Sequence, residues 1–171
     1  MRAMVYGLPR TGTNYLEYLI RYNTDCRQDC TVEHSEYVDF IEGPVCSSKH
    51  CKPRLNGADL YVIIIKSPEA FISSFSKYYL QWEVEFKREK LLDIYSRALY
   101  DYIEFQHKNS LKVTIVLYEQ LLGNEREFLE RLRIKSNYNF TIEDKLNVPN
   151  KRMFHDGGHT MTEEDFICTK Q

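Results

Sequence analysis

The chain has 171 residues, 43% of them hydrophobic, and its 23 basic residues nearly balance its 25 acidic ones, giving a net charge of −2. This length supports a single domain, residues 1–171, with a hydrophobic core and excludes two domains of ordinary size. The charge balance excludes a general attraction to nucleic acid or anionic membranes, and no run approaches the ~18 apolar residues of a membrane span, so any anion site has to be local.

The first residues predict a strand, a glycine loop and a helix. Residues 4–6 are apolar, the loop reads Gly7-Leu8-Pro9-Arg10-Thr11-Gly12, and apolar residues then recur at helical spacing to about residues 21–23. Such a loop cradles an anion, because its backbone N–H groups and the positive end of the helix dipole point to the same place. The side chains of Arg10, Thr11 and Thr13 add further donors.

The spacing of Gly7 and Gly12 matches the start of the signature GxxxxGK[ST], but Thr13 stands where that motif has its lysine. Residues 9–13, Pro-Arg-Thr-Gly-Thr, instead resemble the loop of sulfotransferases, which reads Pro, Lys or Arg, Ser or Thr, Gly, Thr. In that family the loop holds the 5′-phosphosulfate of the donor PAPS (3′-phosphoadenosine 5′-phosphosulfate). The resemblance implies donor binding by Arg10, Thr11, Gly12, Thr13 and Asn14. The alternative is a plain βα turn that carries its glycines for geometry alone.

Residues 24–57 are polar and contain four of the five cysteines, namely Cys26, Cys30, Cys46 and Cys51. Residues 31–32 and 37–41 suggest short strands or a helical turn. The cysteines lie near His34 and His50, which suggests zinc, but the spacings Cys-x3-Cys and Cys-x4-Cys fall outside the usual tight pairs. We therefore expect scattered reduced thiols and no metal. The first strand begins too close to Met1 for a signal peptide, so we expect a cytoplasmic protein.

Residues 60–65 form a continuous apolar run rich in β-branched side chains, which predicts a central strand of a parallel sheet. Lys66 follows at its carboxyl end, and Pro68 suits the first position of the next helix. Because ligands of open α/β sheets bind beyond the carboxyl ends of the strands, we expect Lys66 to lie beside the glycine loop.

Ser74 lies eight residues after Lys66. Residues 66–74 resemble a second signature of sulfotransferases, in which a basic residue at a strand end and a serine eight positions later both bind the 3′-phosphate of PAPS. The resemblance implies this role for Lys66 and Ser74. The family usually has arginine at the first position, and lysine lacks its planar two-pronged fork.

The remaining elements alternate between helix and strand. Residues 86–108 predict a long amphipathic helix, residues 113–117 a strand, and a helix is expected around residues 125–132. This alternation predicts an α/β fold, a three-layer sandwich with a mostly parallel central sheet. The expected apolar stripe of the long helix consists of Leu91, Leu92, Tyr95, Ala98, Leu99, Tyr102 and Ile103.

Residues 118–122, Tyr-Glu-Gln-Leu-Leu, resemble the tyrosine-glutamate element that follows a late strand in sulfotransferases. The resemblance implies that Tyr118 lies near the adenine of PAPS, and a tyrosine ring suits stacking on a base. The family commonly has an arginine just before this tyrosine, where the chain has Leu117. The alternative for Tyr118 is an ordinary strand-end tyrosine of the core.

Transfer of a sulfuryl group needs a base to accept the proton of the acceptor. The segment around His50 resembles the Lys-His element that supplies the catalytic histidine in many sulfotransferases, and imidazole titrates near neutral pH. His34 is a rival, and Glu33 or Glu36 a third choice. The tail, residues 139–171, either covers the cofactor or is mobile.

Together, the three segments predict a small PAPS-dependent sulfotransferase with a P-loop-like fold and no required metal. Its catalytic residues would be His50 as base and Arg10 as the cation that stabilises the leaving phosphate of adenosine 3′,5′-bisphosphate. The acceptor would be a small molecule, a carbohydrate or a peptide. The alternatives are a P-loop nucleoside or small-molecule kinase, and a noncatalytic nucleotide- or zinc-binding module.

Overall fold

The computed structural model describes residues 1–28, 52–80, 85–136 and 139–148. In chain order the elements are β1 (Arg2–Tyr6), α1 (Thr13–Asn23), β2 (Arg27–Gln28), β3 (Leu60–Ile65), α2 (Pro68–Leu80), α3 (Arg88–Lys108), β4 (Val113–Leu117), α4 (Tyr118–Leu121) and α5 (Glu125–Ser136). Among these helices, none combines the length and the apolar character needed to cross a membrane.

The described strands form one parallel sheet in the order β2-β1-β3-β4. β3 is central: Val62 pairs with Val5 of β1 on one side and with Thr114 of β4 on the other. Because all its neighbours are parallel and its faces are covered, β3 has the continuous apolar sequence typical of such strands. The predicted strands at residues 60–65 and 113–117 are therefore confirmed.

Helices pack on both faces of the sheet. Along β1, Ala3 and Val5 join a core with α1 and α5, whereas Met4 and Tyr6 join a second core with α2 and α3. The alternation follows from the two-residue period of a strand, which turns successive side chains to opposite faces. The predicted α/β class, with a parallel sheet between helices, is confirmed.

The helix boundaries agree closely with the sequence, but part of the predicted stripe of α3 is wrong. α1 ends at Asn23 and α2 begins at Pro68, as expected. In α3, Ile103 is 53% exposed, whereas Ile94 and Phe105 are buried. One residue turns a helix by about 100°, so Ile103 lies beyond the face that Tyr102 presents to the core.

Residues 139–148 attach to the carboxyl-terminal end of α1. The Asn23 side chain donates to the Asn147 carbonyl oxygen at 3.0 Å, and the backbone N–H of Glu143 donates to the Asn23 carbonyl oxygen at 2.9 Å. This part of the predicted tail therefore lies at the end of α1 away from the glycine loop. Residues 149–171 lie outside the described residues.

Candidate functional site

The candidate site lies at the edge of the sheet where the parallel strands end, which we call the carboxyl edge. From β1 the chain passes through α1 to β2 on one side, whereas β3 leads through α2 and α3 to β4 on the other. The connections thus diverge between β1 and β3. In open α/β sheets a crevice forms at such a switch point and binds ligands. The glycine loop, residues 7–12, and Lys66 flank this crevice.

A tight turn shapes the glycine loop. The backbone N–H and the hydroxyl of Thr11 both donate to the Leu8 carbonyl oxygen, at 3.2 and 2.6 Å. The buried Thr11 hydroxyl therefore holds the turn, although the sequence suggested it as a donor to a ligand. Gly12 caps α1 without a side-chain hydrogen bond. The helix thus presents its first turn and the positive end of its dipole to the crevice.

Both loop glycines are required by packing. A Cβ atom at Gly7 would lie 2.6 Å from the Ile64 carbonyl oxygen, and one at Gly12 would lie 2.5 Å from Cδ2 of Tyr118. Gly12 also has φ +99°, in the region that favours glycine. Because these contacts explain the glycines without any ligand, an anion site has to be inferred from the cations around the loop.

Arg10 is held in an unusual conformation beside α2. Its φ is +67°, which is uncommon for a residue with a side chain, and its guanidinium carbon lies 4.5 Å from the centre of the Tyr78 ring. Its Nε atom is buried without a hydrogen-bond partner among the described residues. Backbone strain and an unsatisfied buried donor in one residue are typical of a functional position.

The structure brings Lys66 and Ser74 together, as the sequence predicts. The Lys66 ammonium lies 3.3 Å from the Ser74 hydroxyl, and Lys66 is only 8% exposed. Burial and the nearby charge of Arg10 lower the pKa of Lys66, and Glu119 partly opposes them. No carboxylate within the described ranges forms an ion pair with Lys66 or Arg10. Two close cations without a paired carboxylate favour the binding of an anion.

Tyr118 occupies the centre of the site. Its ring contacts the ring of Tyr15 edge-on, with centroids 5.7 Å apart, and the Lys66 ammonium lies 4.8 Å above its face. Burial, followed by Glu119 and Glu125, raises the pKa of Tyr118. Tyr118 thus connects the glycine loop with Lys66. The Lys66 ammonium covers one face of the Tyr118 ring.

Comparisons with known protein families, curated proteins and solved structures find no match. The chemistry of the site is therefore inferred from its own residues. Cations, a helix start and a hydroxyl converge on one crevice, which suits a ligand with more than one anionic group.

Three supporting contacts carry no recognisable sequence signal. The Tyr95 hydroxyl donates to the Lys66 carbonyl oxygen at 2.6 Å, and the Ser67 hydroxyl donates to Glu119 at 2.9 Å. The Tyr15 hydroxyl donates to Glu125 at 2.6 Å. Tyr95 belongs to the stripe that predicts scaffold, so only the fold reveals that its hydroxyl reaches the site.

Several predicted residues lie outside the described residues. These are His50, its rivals His34, Glu33 and Glu36, and the cysteines Cys30, Cys46 and Cys51. Cys26 is a buried free thiol. Within the described part, no group of three or more His, Cys, Asp or Glu side chains is arranged to hold a metal ion. The choice of base and the zinc alternative therefore stay predictions.

Proposed function

We propose that the protein is a small P-loop-like sulfotransferase that moves the sulfuryl group of PAPS to a hydroxyl or amine acceptor. The observation that carries the proposal is the contact between Lys66 and Ser74 beside the glycine loop. This contact supports a second phosphate-binding site, formed by Lys66 and Ser74, next to the one formed by the glycine loop. PAPS carries its phosphate groups on both sides of one ribose, so a pair of neighbouring anion sites suits it.

The charges of the crevice suit this donor. Lys66 is nearly buried, and Arg10 carries a buried unpartnered Nε atom. Two cations brought together with so little solvent destabilise the unliganded protein, because each disfavours the charge of the other. Phosphate and sulfate oxygens accept strong hydrogen bonds from such groups. In this proposal Lys66 and Ser74 bind the 3′-phosphate, and the loop with Arg10 binds the phosphosulfate.

The same residues argue against a kinase. A P-loop kinase needs a lysine in the loop and an acidic residue that holds Mg²⁺, but this chain has Thr13 in the loop and Lys66 at the end of β3. Glu119 is the nearby acid, and one of its oxygens already accepts from the Ser67 backbone N–H and hydroxyl, at 3.1 and 2.9 Å. The site therefore favours a donor that binds without magnesium.

Bound PAPS would supply an activated sulfuryl group on a phosphate leaving group. Arg10 would stabilise the charge that develops on the departing phosphate oxygen, and the loop would orient the donor for in-line transfer. His50 is the proposed base for the acceptor. Nearby, the Tyr6 hydroxyl donates to the Arg54 carbonyl oxygen at 3.2 Å. This contact ties the segment that follows His50 to β1, which leads into the loop.

Thermal unfolding with adenosine 3′,5′-bisphosphate and a metal chelator tests the proposal. A ligand at 100 times its Kd stabilises a protein by about 2.7 kcal/mol, so we expect a clear rise in Tm. Adenosine 5′-monophosphate, which lacks the 3′-phosphate, should act more weakly. Lys66→Met should remove this preference, whereas Lys77→Met, at an exposed site of the following helix α2, should keep it. Stabilisation by ATP that requires magnesium would favour the kinase.

Activity is tested by transfer of labelled sulfuryl from PAPS to a panel of alcohols, phenols, amines and sugars. His50→Ala should abolish transfer while leaving the stabilisation by adenosine 3′,5′-bisphosphate intact. If His34→Ala has that effect and His50→Ala does not, the base is His34. Binding without transfer to any acceptor, together with bound zinc, would favour the noncatalytic module.

A further inference from the structure

The carboxyl-terminal half of α2 contains a second buried polar atom without a partner. Tyr79 is 7% exposed, and its hydroxyl finds no hydrogen-bond partner among the described residues. The Nε atom of Arg10 is likewise buried without a hydrogen-bond partner among the described residues. Buried polar groups are nearly always hydrogen-bonded, so each such exception calls for an explanation.

The two residues are linked through Tyr78. The Arg10 guanidinium stacks on the Tyr78 ring, and the rings of Tyr78 and Tyr79 meet edge-on with centroids 5.1 Å apart. Burial raises the pKa of the Tyr79 phenol, whereas the charge of Arg10 acts to lower it, which is consistent with their proximity. The guanidinium and the phenol therefore belong to one cluster around Tyr78.

Tyr79 is fixed in this position by its neighbours. Its ring stacks on Phe75 at 4.4 Å and meets Phe86 edge-on at 5.4 Å. These contacts hold the ring in the aromatic core, and its hydroxyl is buried. A buried hydroxyl that makes no hydrogen bond costs free energy. A ligand oxygen would remove that cost.

We propose that Arg10 and Tyr79 form a subsite for a tetrahedral oxyanion. Both groups donate hydrogen bonds, and a guanidinium accepts none, so the ligand must offer oxygen acceptors and negative charge. A sulfate or phosphate group meets this need, because it presents three outward oxygens and negative charge. On the proposed function, which this assignment assumes, the oxyanion is the sulfuryl group in transfer, and Tyr79 binds one of its non-bridging oxygens.

Tyr79→Phe is the decisive variant, because it removes one oxygen from a position where that oxygen has no partner among the described residues. The unliganded variant should be at least as stable as the wild type. Adenosine 3′,5′-bisphosphate has no sulfuryl group, so its Kd for Tyr79→Phe should stay within about twofold of the wild-type Kd. Transfer from PAPS should fall about 100-fold in kcat, as for loss of one donor to developing charge.

Inorganic sulfate probes the subsite without assuming the reaction. We expect sulfate to raise the Tm of the wild type above that in chloride of equal ionic strength, and Tyr79→Phe to weaken apparent sulfate binding about tenfold. Tyr61→Phe is the control, because the Tyr61 hydroxyl is already engaged with Asn56 at 3.0 Å. This control should lose stability but keep the sulfate response.

Each outcome decides a separate point. An equal sulfate response in the wild type and Tyr79→Phe, or no response in the wild type, overturns the subsite. If sulfate binding depends on Tyr79 but adenosine 3′,5′-bisphosphate does not bind, the subsite stands and the proposed function fails. If the wild type transfers sulfuryl groups and Tyr79→Phe does so equally fast, only the role of Tyr79 is lost.

Discussion

The ring of Tyr118 fills the space into which a side chain at Gly12 would project. A Cβ atom there would lie 2.5 Å from one ring carbon of Tyr118 and 2.8 Å from the next. The end of β4 and the start of α1 are thereby locked together at the glycine loop. The residue that sequence resemblance assigns to the adenine thus also has a structural role in shaping the glycine loop.

Gly12→Ala should therefore be strongly destabilising. It incurs the cost of a positive φ, about 1 kcal/mol, and in addition a steric cost of about 1–3 kcal/mol against Tyr118. Gly123→Ala is a matched control, since Gly123 has φ +83° but no atom within 4 Å of an added Cβ. Urea denaturation should show a larger loss of unfolding free energy for Gly12→Ala than for Gly123→Ala. In a Tyr118→Ala background, Gly12→Ala should cost no more than Gly123→Ala, because the steric clash with the ring is gone and only the cost of the positive φ remains. Equal losses for the two glycines would contradict this packing.

Lys66→Met should stabilise the unliganded protein at pH 7. Burial and Arg10 lower the pKa of Lys66 on folding, so the charged lysine favours the unfolded chain. This cost is complete below the folded pKa and disappears as the pH rises toward the ordinary value of 10.5. The stability difference between Lys66→Met and the wild type should therefore shrink between neutral pH and about pH 10.5. Urea denaturation at a series of pH values, in amine buffers with chloride as the only other anion, would measure this difference.

The exposed Lys77 provides the comparison for this experiment. Lys77→Met should change stability little, because the Lys77 side chain is exposed. A Lys66→Met advantage that stays constant with pH would mean that better apolar packing of methionine, and not removal of the lysine charge, is responsible.

The Tyr15 and Glu125 side chains should be energetically coupled. Their 2.6 Å hydrogen bond joins α1 to α5, and Glu125 also accepts from the Gly123 backbone N–H at 2.9 Å. A double-mutant cycle of Tyr15→Phe and Glu125→Ala should give a coupling of about 1–3 kcal/mol, as for hydrogen bonds to charged groups. The surface pair Glu127 and Arg131 should give less than about 1 kcal/mol.

The same contact predicts a change at alkaline pH. Burial and the bond to Glu125 raise the pKa of Tyr15 above its ordinary value of 10.0. The unfolded chain then ionises first, so the wild type should lose stability above about pH 10, relative to Tyr15→Phe. If the stability difference between the wild type and Tyr15→Phe is the same at about pH 9 and at about pH 11, the pKa of Tyr15 is not raised by folding.

Arg10→Asn should separate folding from ligand binding. Asparagine tolerates the left-handed backbone of residue 10 better than arginine, which offsets the lost stacking on Tyr78, so unfolding free energy should change by less than about 1 kcal/mol. The affinity for adenosine 3′,5′-bisphosphate should fall about tenfold or more, because a charged hydrogen-bond donor is removed. Titration calorimetry would measure this, with Arg131→Ala as the control. Undiminished affinity would exclude Arg10 from the nucleotide site.

Much of the architecture could be predicted from the sequence because its causes are local. The unbroken apolar run of β3 follows from burial on two faces, and Pro68 starts α2 because proline suits the first turn of a helix. The meeting of Lys66 with Ser74 was also predictable, since a strand end and the second turn of the next helix are separated by only eight residues. Which residues at the borders of the apolar stripe of α3 are buried could not be predicted, because this depends on where the neighbouring elements pack against the helix.

The sequence by itself therefore determined β1, β3 and β4 with the main helices between them, the parallel sheet and the two charged segments at its carboxyl edge, but it did not predict the short edge strand β2. Only the tertiary structure decided what surrounds those segments. The contact of Tyr15 with Glu125 joins residues 110 positions apart, and the packing of Tyr118 on Gly12 joins the last described strand end to the first loop. The burial that leaves the Arg10 Nε atom and the Tyr79 hydroxyl without hydrogen-bond partners in the described part of the chain likewise comes from helices packed around them. Such contacts depend on how whole elements pack, and no local pattern of residues encodes them.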